Sequence, residues 1–354
     1  MPDPSRILVV RTDRLGDVIL TLPVLTALRQ CFPHAHLAML LSRYAGAIVE
    51  GSPALDQIMY DDDERGLAAR GNLMRSIRNS RFDACIVVHP TPRLAWLIWR
   101  SGIPLRVGTG YRFYSLLFNR RVYTHRSSAE RHELEYNIEL LSALGCQATP
   151  RKPLAFPLVV QEESQRSLDE LLSRWGIRGN YAVIHPGSGG SAREWPREHF
   201  ALLAAALADR PSLSVVVTGT AEEAPLAEDV VRLSGGRAVS LAGRLSVKEL
   251  AALLGRAVLV AANSTGPLHL AAALNTPVLG FYPQIPVMGV RRWGPWTDKA
   301  RVLVPEKPTN CVDCRSPGSK CACMASITVE AAIAAAQELL PNSPVAHAKA
   351  HHGS

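Results

Sequence analysis

The sequence contains no apolar run of the roughly 18 residues that a membrane-spanning helix needs, because Arg or Pro interrupts its longest hydrophobic stretches. Its first residues also lack the long apolar core of a secretory signal. With 47% hydrophobic and 20% charged residues, the composition excludes an intrinsically disordered chain. These features predict a soluble, cytoplasmic protein.

Several nucleotide and metal motifs are also missing. No GxGxxG occurs, since the candidate glycines Gly108 and Gly110 lack a third partner, and this argues against a dinucleotide dehydrogenase. Neither a Walker A motif nor HExxH is present. The chemistry must therefore be sought in other loops.

The 354 residues suit two domains, and short apolar runs alternate twice with longer amphipathic stretches. This pattern predicts βαβ units with parallel sheets, which means an α/β fold of two Rossmann-like domains. We expect domains at 1–155 and 156–327, a helix at 328–340 that packs back across them, and a disordered tail at 341–354. The predicted strands are Ile7–Val10, His36–Leu41, Asp56–Tyr60, Phe82–Val88, Tyr181–His185, Leu213–Thr218, Ala238–Ser240, Ala257–Ala261 and Pro277–Phe281. Among the predicted helices are Asp17–Gln30, Glu130–Leu144, Glu162–Trp175 and Pro267–Leu274.

Charge is distributed unevenly along the chain. Between Glu64 and Arg131 there are 13 Arg, no Lys and three acids, a balance of +10, whereas the rest of the chain sums to −2. Arginine offers a permanently charged fork that matches phosphate and carboxylate oxygens. The segment indicates a polyanionic partner, namely an acidic glycan, an anionic membrane face or a nucleic acid, unless it is only a solvated surface. The near absence of Lys argues against a nucleic-acid binder.

Seven cysteines in a chain without an export signal predict a reducing compartment. We interpret Cys31, Cys85 and Cys146 as core thiols. A cluster near the end has the spacing of a possible structural zinc site in its first pair, but its second pair is tight. Reduced structural thiols and a redox bridge are the alternatives for the cluster residues Cys311, Cys314, Cys321 and Cys323.

Four loops follow predicted strands, at the edge where open α/β sheets bind ligands. In the first loop Asp17 is either a helix N-cap or a general base. The second, His185–Pro196, is either a plain surface loop or a phosphate loop to which Arg193 adds charge. The third contains a predicted helix N-terminus with a Ser264 or Thr265 cap, and the fourth ends in two acids that could bind ribose hydroxyls.

Three segments of the chain, in their order and spacing, resemble glycosyltransferase family 9, the bacterial lipopolysaccharide heptosyltransferases. They are RTDRLGDVILTLPVLTALR, HPGSGGSAREWP and NSTGPLHLAAALNTPVLGFY. The likeness runs from about Ile7 to Ile327. It implies a GT-B fold, in which two Rossmann-like domains face a central cleft and the second holds the nucleotide sugar. It also implies inverting transfer that needs no metal, usually of heptose from ADP-heptose to a Kdo or heptose residue of the inner core.

The resemblance assigns roles to individual residues. Asp17 is its catalytic base. The nucleotide-sugar residues that the motifs and the resemblance indicate are Ser188, Arg193, Glu222, Glu223, Leu245, Ser264, Thr265, Gly266 and His269. Where many members have Asp before the [ST]-G of the third segment, this chain has Ser264, which puts the sugar in question.

We expect the first domain to bind an acidic, lipid-linked glycan and to touch an anionic membrane face peripherally, with no cofactor for catalysis. The arginines and the aromatic stretches Trp96–Trp99 and Tyr111–Phe118 motivate this, since aromatic faces stack on sugar rings. Candidate acceptor residues are Arg93, Arg106, Arg112 and His132. The alternatives are a nucleotide-sugar epimerase on the same fold and a family 9 transferase that uses another nucleotide sugar.

Overall fold

The computed structural model describes residues 3–61, 67–152, 154–306 and 322–341. The chain separates into two compact units, of which the first comprises 1–161 with 291–296 and the second the remainder. Each unit has its own six-stranded parallel sheet. The α/β class and the two parallel sheets predicted from the sequence are confirmed. No helix within the described ranges is both long and apolar enough to cross a bilayer.

The first sheet has the order β3-β2-β1-β4-β5-β6. Its strands are β1 (Arg6–Val10), β2 (His36–Leu41), β3 (Gln57–Tyr60), β4 (Ala84–Val87), β5 (Leu105–Thr109) and β6 (Arg120–Val122). The helices of this part of the chain are α1 (Leu15–Ile19), α2 (Leu22–Cys31), α3 (Arg43–Gly46), α4 (Leu67–Asn79), α5 (Pro92–Arg100) and α6 (Glu133–Glu139). Short 3₁₀ segments occupy Phe113–Leu117, Arg126–Ser128 and Leu140–Leu144.

The second sheet has the order β12-β11-β10-β7-β8-β9. Its strands are β7 (Asn180–His185), β8 (Leu213–Val217), β9 (Val239–Ser240), β10 (Leu259–Asn263), β11 (Val278–Phe281) and β12 (Ala300–Leu303). The remaining helices are α7 (Glu162–Arg174), α8 (Arg197–Ala208), α9 (Ala224–Leu233), α10 (Val247–Arg256), α11 (Gly266–Ala273), α12 (Val290–Trp293), α13 (Ala322–Ala325) and α14 (Val329–Leu339). A further 3₁₀ segment covers Pro286–Met288, and α14 packs on α8, β11 and β12.

Both sheets reverse their strand order beside the first strand of the unit. In the first unit β1 lies between β2 and β4, with Leu8 opposite both Ala38 and Cys85. In the second unit β7 lies between β8 and β10. Because ligands of open parallel sheets bind at the carboxyl ends beside such a reversal, the loops after β1, β4, β7 and β10 are the first places to look for a site.

The helices over one face of the first sheet bury a continuous apolar layer. Leu73 and Ile77 of α4, and Leu94 and Ile98 of α5, pack with strand residues such as Val87. Thr91 begins α5 as its N-cap, with its hydroxyl accepting from the Leu94 N–H at 3.2 Å. This packing fixes the position of α5, whose opposite face remains outside the core.

Several elements differ from the sequence prediction. The helix predicted over Asp17–Gln30 is two helices, α1 and α2, because Pro23 lies in the first turn of α2, where a missing N–H is tolerated. The helix predicted over Glu130–Leu144 begins at Glu133 and continues as a 3₁₀ segment after Glu139. Strands β5, β6 and β12 were not predicted, since Arg or Gly interrupts their short apolar pattern.

The interpretation of Cys31 and Cys146 as core thiols is wrong, because they form a disulfide across 115 residues of sequence with Cα atoms 5.8 Å apart. Cys31 is the last residue of α2, and α6 packs on α2. Gly145, at φ 79°, turns the chain after the following 3₁₀ segment and returns Cys146 to the end of α2. Cys85, by contrast, is a buried thiol, and burial raises its pKa.

Candidate active site

The first loop with predicted chemistry follows β1. Arg11 comes directly after this strand and is buried, and Asp17 lies in the first turn of α1. The N-cap of α1 is Arg14, so the interpretation of Asp17 as an N-cap is wrong. Instead the Asp17 carboxylate accepts a hydrogen bond from Nη2 of Arg11, while Nε of Arg11 donates to Asp13 at 2.7 Å.

A second buried carboxylate completes this charge cluster. Glu133, the first residue of α6, has a side chain only 2% exposed. It contacts three guanidinium groups: that of Arg126, that of Arg292 at 3.0 Å, and that of Arg11 at 3.8 Å. Three arginines and three carboxylates, counting Asp13 and Asp17, therefore form one cluster around the buried Arg11 and Glu133, so neither buried charge is isolated.

The cluster perturbs the acidity of its members. Burial raises the pKa of Asp17 to about 6, and the Asp13 and Glu133 carboxylates add to this rise although Arg11 opposes it. Burial alone would raise the pKa of Glu133 too, but the guanidinium groups of Arg126, Arg11 and Arg292 hold it below its ordinary value. Asp17 is thus ionised at neutral pH yet more basic than an ordinary aspartate, as a general base requires.

His132 precedes Glu133 and caps its helix. Its Nδ1 accepts from the Leu134 N–H at 3.2 Å, so Nε2 carries the proton and donates to the Gly294 carbonyl at 2.7 Å. Burial lowers the pKa of His132 to about 4. Both ring nitrogens are used within the first unit, and their bonds hold the start of α6, and hence Glu133, in place.

The three predicted acceptor arginines lie in different settings. Arg93, at the start of α5, forms a bidentate pair with Asp61, the residue after β3. Arg106 lies near the amino end of β5, the edge opposite to Asp17, where its guanidinium donates to the Ile103 and Leu117 carbonyls. Arg112 is exposed in the loop after β5. The structure thus places Arg93 and Arg112 at the carboxyl edge of the first sheet and Arg106 away from it.

In the second unit, Asn263 links the loops that follow β7 and β10. Its side chain is completely buried, its Oδ1 accepts from the Trp195 N–H at 2.9 Å, and its Nδ2 donates to the Pro186 carbonyl at 2.7 Å. Trp195 stacks on Phe281, with ring centroids 4.1 Å apart. The segment 186–195 is therefore a fixed loop whose ends are tied to β10.

Glu223 hydrogen-bonds to the middle of the same loop, the segment 186–195. Its carboxylate accepts the Gly189 N–H and the Thr220 N–H, each at 2.9 Å, and lies 3.9 Å from Nε2 of His185. A Cβ at Gly187 would come within 2.2 Å of this carboxylate, so a side chain there would displace Glu223 from its contacts. Glu223 thus joins the loops after β7 and β8, whereas the neighbouring Glu222 is exposed.

Two predicted donor residues lie on that loop. Ser188 donates to the Glu194 carboxylate at 2.6 Å, and its hydroxyl oxygen accepts from the Gly190 N–H at 3.2 Å. Arg193 is 8% exposed. These bonds show an ordered turn in place of a plain surface loop, with the left-handed Gly189 and Gly190 at its tip.

The third loop leads into α11. Its N-cap is Thr265, but no side chain caps the helix, because the Thr265 hydroxyl donates to the Asn263 carbonyl at 3.1 Å. The Ser264 hydroxyl is hydrogen-bonded to that of Tyr282, and His269 is buried within the helix. The first turn of α11 therefore keeps its positive dipole end at the carboxyl edge of the sheet.

Leu245 belongs to the loop after β9 and is half-buried. In this loop the Gly243 N–H donates to the Gly219 carbonyl at 3.0 Å, which joins it to the loop that carries Glu222 and Glu223. The second unit thus brings the predicted donor loops to adjacent strand ends.

Of the cysteine cluster, Cys311, Cys314 and Cys321 lie outside the described residues. Cys323 is buried in the apolar core of the second unit with Met324 and Ile327. No cluster of three or more His, Cys, Asp or Glu suited to a metal occurs in the described part of the chain.

Sequence reasoning missed the partners that hold the predicted residues. Glu133, Arg126 and Arg292 were given no role, although Glu133 directly follows His132, which was itself a candidate. Asn263 was seen only as part of a motif. Its position at the last residue of a buried strand was the available signal, since a buried amide needs partners.

Comparison with known proteins matches the model of glycosyltransferase family 9 (heptosyltransferase) to residues 70–323. A Haemophilus influenzae (strain ATCC 51907 / DSM 11121 / KW20 / Rd) protein named "Putative glycosyltransferase" is 30% identical over 303 residues, 83% of this chain and 87% of that protein. The family 9 glycosyl transferase structure from Veillonella parvula DSM 2008 has a TM-score of 0.80 at 23% identity, over 95% of this chain and 97% of that one. The structure of E. coli ADP-heptose lps heptosyltransferase II has a TM-score of 0.77 at 21% identity, over 94% of this chain and 98% of that one.

These structural neighbours share the fold of this chain over nearly its whole length, and the GT-B class expected from the sequence is confirmed. The family match covers well over half of the residues. The chain therefore belongs to glycosyltransferase family 9 and is a glycosyltransferase.

Proposed function

We propose that this enzyme transfers heptose from ADP-heptose to a Kdo or heptose residue of a lipopolysaccharide inner core. The family description names heptosyltransferases, and the E. coli neighbour is an ADP-heptose lipopolysaccharide enzyme. The observation that carries the proposal is Asp17, a carboxylate at the strand reversal of the first sheet whose pKa is raised to about 6.

In the proposed reaction Asp17 accepts the proton of the acceptor hydroxyl as its oxygen attacks the anomeric carbon. The bond from that carbon to the diphosphate oxygen breaks on the opposite face, so the product has inverted configuration. Arg11 keeps Asp17 oriented, since one guanidinium contacts both Asp17 and Asp13. A base of this kind typically contributes 10²–10⁴-fold to the rate.

For the leaving diphosphate we propose the first turn of α11 together with the loop of Ser188 and Arg193. Helix N-termini and arginine favour phosphate charge, which would remove the need for a divalent metal. Glu222, exposed beside the fixed Glu223, is the better placed of the two acids for ribose hydroxyls. Leu245 supplies an apolar contact for the base.

The acceptor is proposed to contact the first unit through Arg93 and Arg112, whose guanidinium groups suit carboxylates or phosphates. His132 acts indirectly in this proposal, by holding α6 and Glu133. Arg106, committed to backbone carbonyls, contributes to the fold of the same unit.

The test measures nucleoside diphosphate release, product mass and the NMR spectrum of the sugar with ADP-heptose, ADP-glucose and UDP-N-acetylglucosamine, each with and without a deacylated inner-core acceptor. We expect turnover with ADP-heptose only, an inverted linkage by NMR, and full activity in EDTA. Turnover of a nucleotide sugar without acceptor would support the epimerase alternative and refute the proposal. Activity lost in EDTA and restored by Mg²⁺ would refute the metal-independent step.

A further inference from the structure

Exposed aromatic side chains are concentrated on one surface of the first unit. On α5, Trp96 and Trp99 are 52% and 46% exposed, one helical turn apart. On the neighbouring 3₁₀ segment, Phe113 and Leu116 are 81% and 77% exposed, the highest values among the large apolar side chains described. Apolar side chains left in water at this density indicate a surface that is covered in use.

These four residues stand on one rigid layer. The inner sides of α5 and of the 3₁₀ segment pack on the same apolar cluster, through Leu94 and Leu97 of α5 and through Leu117. The Tyr114 hydroxyl donates to the Pro90 carbonyl at 2.8 Å, which ties the segment to the start of α5. The exposed side chains are therefore presented by secondary structure that is fixed from beneath.

The elements that carry these side chains contain basic residues but no acidic ones. Helices α4 and α5 and the 3₁₀ segment contain five arginines and no Asp or Glu. Arg75 on α4 and Arg100 on α5 are exposed, and the Arg100 guanidinium lies over the Trp96 ring, 5.8 Å from its centroid. We call Trp96, Trp99, Phe113 and Leu116, with Arg75 and Arg100, the tryptophan surface.

We propose that the tryptophan surface docks this enzyme on an anionic phospholipid bilayer, with the aromatic rings at headgroup depth and the arginines on lipid phosphates. Tryptophan prefers such interfaces because its ring is apolar and its N–H is polar, and arginine is drawn to anionic headgroups. The proposal rests on the proposed function to the extent that a lipid-linked acceptor resides in such a membrane. It gives these tryptophans a lipid partner in place of the sugar rings expected from the sequence.

The binding test uses the full chain without substrate and sedimentation with vesicles. We expect binding to vesicles that contain phosphatidylglycerol, little binding to pure phosphatidylcholine vesicles, and weakening as salt rises. Arg75→Ser and Arg100→Ser should each weaken binding about fivefold. The pair Trp96→Ser with Trp99→Ser should weaken it about tenfold or more.

Matched controls come from the second unit. Leu202→Ser, 53% exposed on α8, and Arg178→Ser, also exposed, change the same kinds of side chain elsewhere and should bind as the wild type does. Thermal unfolding of every variant should be unchanged, since the altered side chains lie outside the core. Surface variants that bind like the wild type, or a wild type that binds phosphatidylcholine equally well, would overturn the proposal. Loss of a dimer in the tryptophan variants on gel filtration would assign the surface to a second copy and would also overturn it.

Transfer assays separate this inference from the proposed function. Surface variants should transfer to a deacylated, water-soluble acceptor at the wild-type rate but should slow on acceptor embedded in vesicles. Equal slowing on both acceptors would mean that the surface is part of the acceptor site and not a membrane contact. If the wild type uses no inner-core acceptor and still binds anionic vesicles through this surface, the proposed function fails and the docking surface stands.

Discussion

Substituting Asp17 by Asn should abolish transfer and stabilise the protein at the same time. The raised pKa of Asp17 means that ionising this carboxyl in the folded state is unfavourable relative to the unfolded chain. An amide of the same shape cannot ionise, and it can still accept the hydrogen bond from Arg11. Loss of the base should lower kcat by 10²–10⁴-fold.

The size of the stabilisation follows from the shift in pKa. The folded value of about 6 exceeds the ordinary 3.8 by roughly two units, which corresponds to about 3 kcal/mol. Because the folded pKa is raised, the contribution of Asp17 to stability is fully present below the unfolded pKa and is lost as pH rises through 6. The Asn variant should therefore gain up to about 3 kcal/mol at pH above about 7 and nothing near pH 4. For a domain of this size that is a rise of about 6–12 °C in Tm.

Urea unfolding and thermal melts of both proteins across this pH range provide the assay. Asp13→Asn is the matched control, because it removes the other carboxylate on the Arg11 guanidinium, breaks a 2.7 Å ion pair and leaves the base intact. It should keep transfer activity and should not stabilise the protein. If Asp17→Asn is no more stable than the wild type near pH 7.5, or if its gain is the same near pH 4, the reasoning about the buried cluster is wrong.

Three other predictions concern contacts within one or the other unit. Glu133→Gln should lower the free energy of unfolding in urea by about 3–5 kcal/mol, because three guanidinium groups lose a shared buried charge. It should also move the acid limb of the pH–rate profile to lower pH, since Glu133 raises the pKa of Asp17. An acid limb that does not move would contradict the electrostatic assignment. Asn263→Ala should cost about 2–4 kcal/mol and raise the KM for the nucleotide sugar but not for the acceptor, whereas the exposed Asn79→Ala should change neither. Dithiothreitol should lower the free energy of unfolding of the wild type by roughly 3–5 kcal/mol, because it reduces the Cys31–Cys146 disulfide. The same loss is expected for Cys85→Ser, which keeps this disulfide, whereas dithiothreitol should not change the stability of Cys31→Ser.

The sequence carried most of the fold because both units repeat one simple pattern. Buried strands such as β1 and β10 are continuous apolar runs, which parallel sheets with both faces covered require. The pattern failed where strands are short and carry arginine, as in β6, or glycine, as in β5. Edge and near-edge strands expose more of their length, so their sequences need less apolar character.

Asp17 could be identified because its neighbours in space are also its neighbours in sequence. Arg11, Asp13 and Asp17 lie within seven residues, at the end of a strand that any periodicity analysis finds. Glu133 and Arg292 could not be attached to them in the same way, since each comes from a distant segment. Local motifs therefore indicate where chemistry occurs, and the partners that tune its pKa emerge only from the fold.

The arginines show the limit of composition most clearly. A guanidinium has five donors, which suit a phosphate, a buried carboxylate or a set of backbone carbonyls equally well. In this chain Arg126 serves Glu133, Arg93 pairs with Asp61, and Arg106 holds carbonyls near the amino end of its strand. These three contacts show that a positive segment does not by itself assign its arginines to a ligand. Arg75 and Arg100 remain exposed, and the Arg100 guanidinium lies over the Trp96 ring. We propose that these two arginines contribute to the membrane surface, whereas Arg93 and Arg112 are proposed to contact the acceptor.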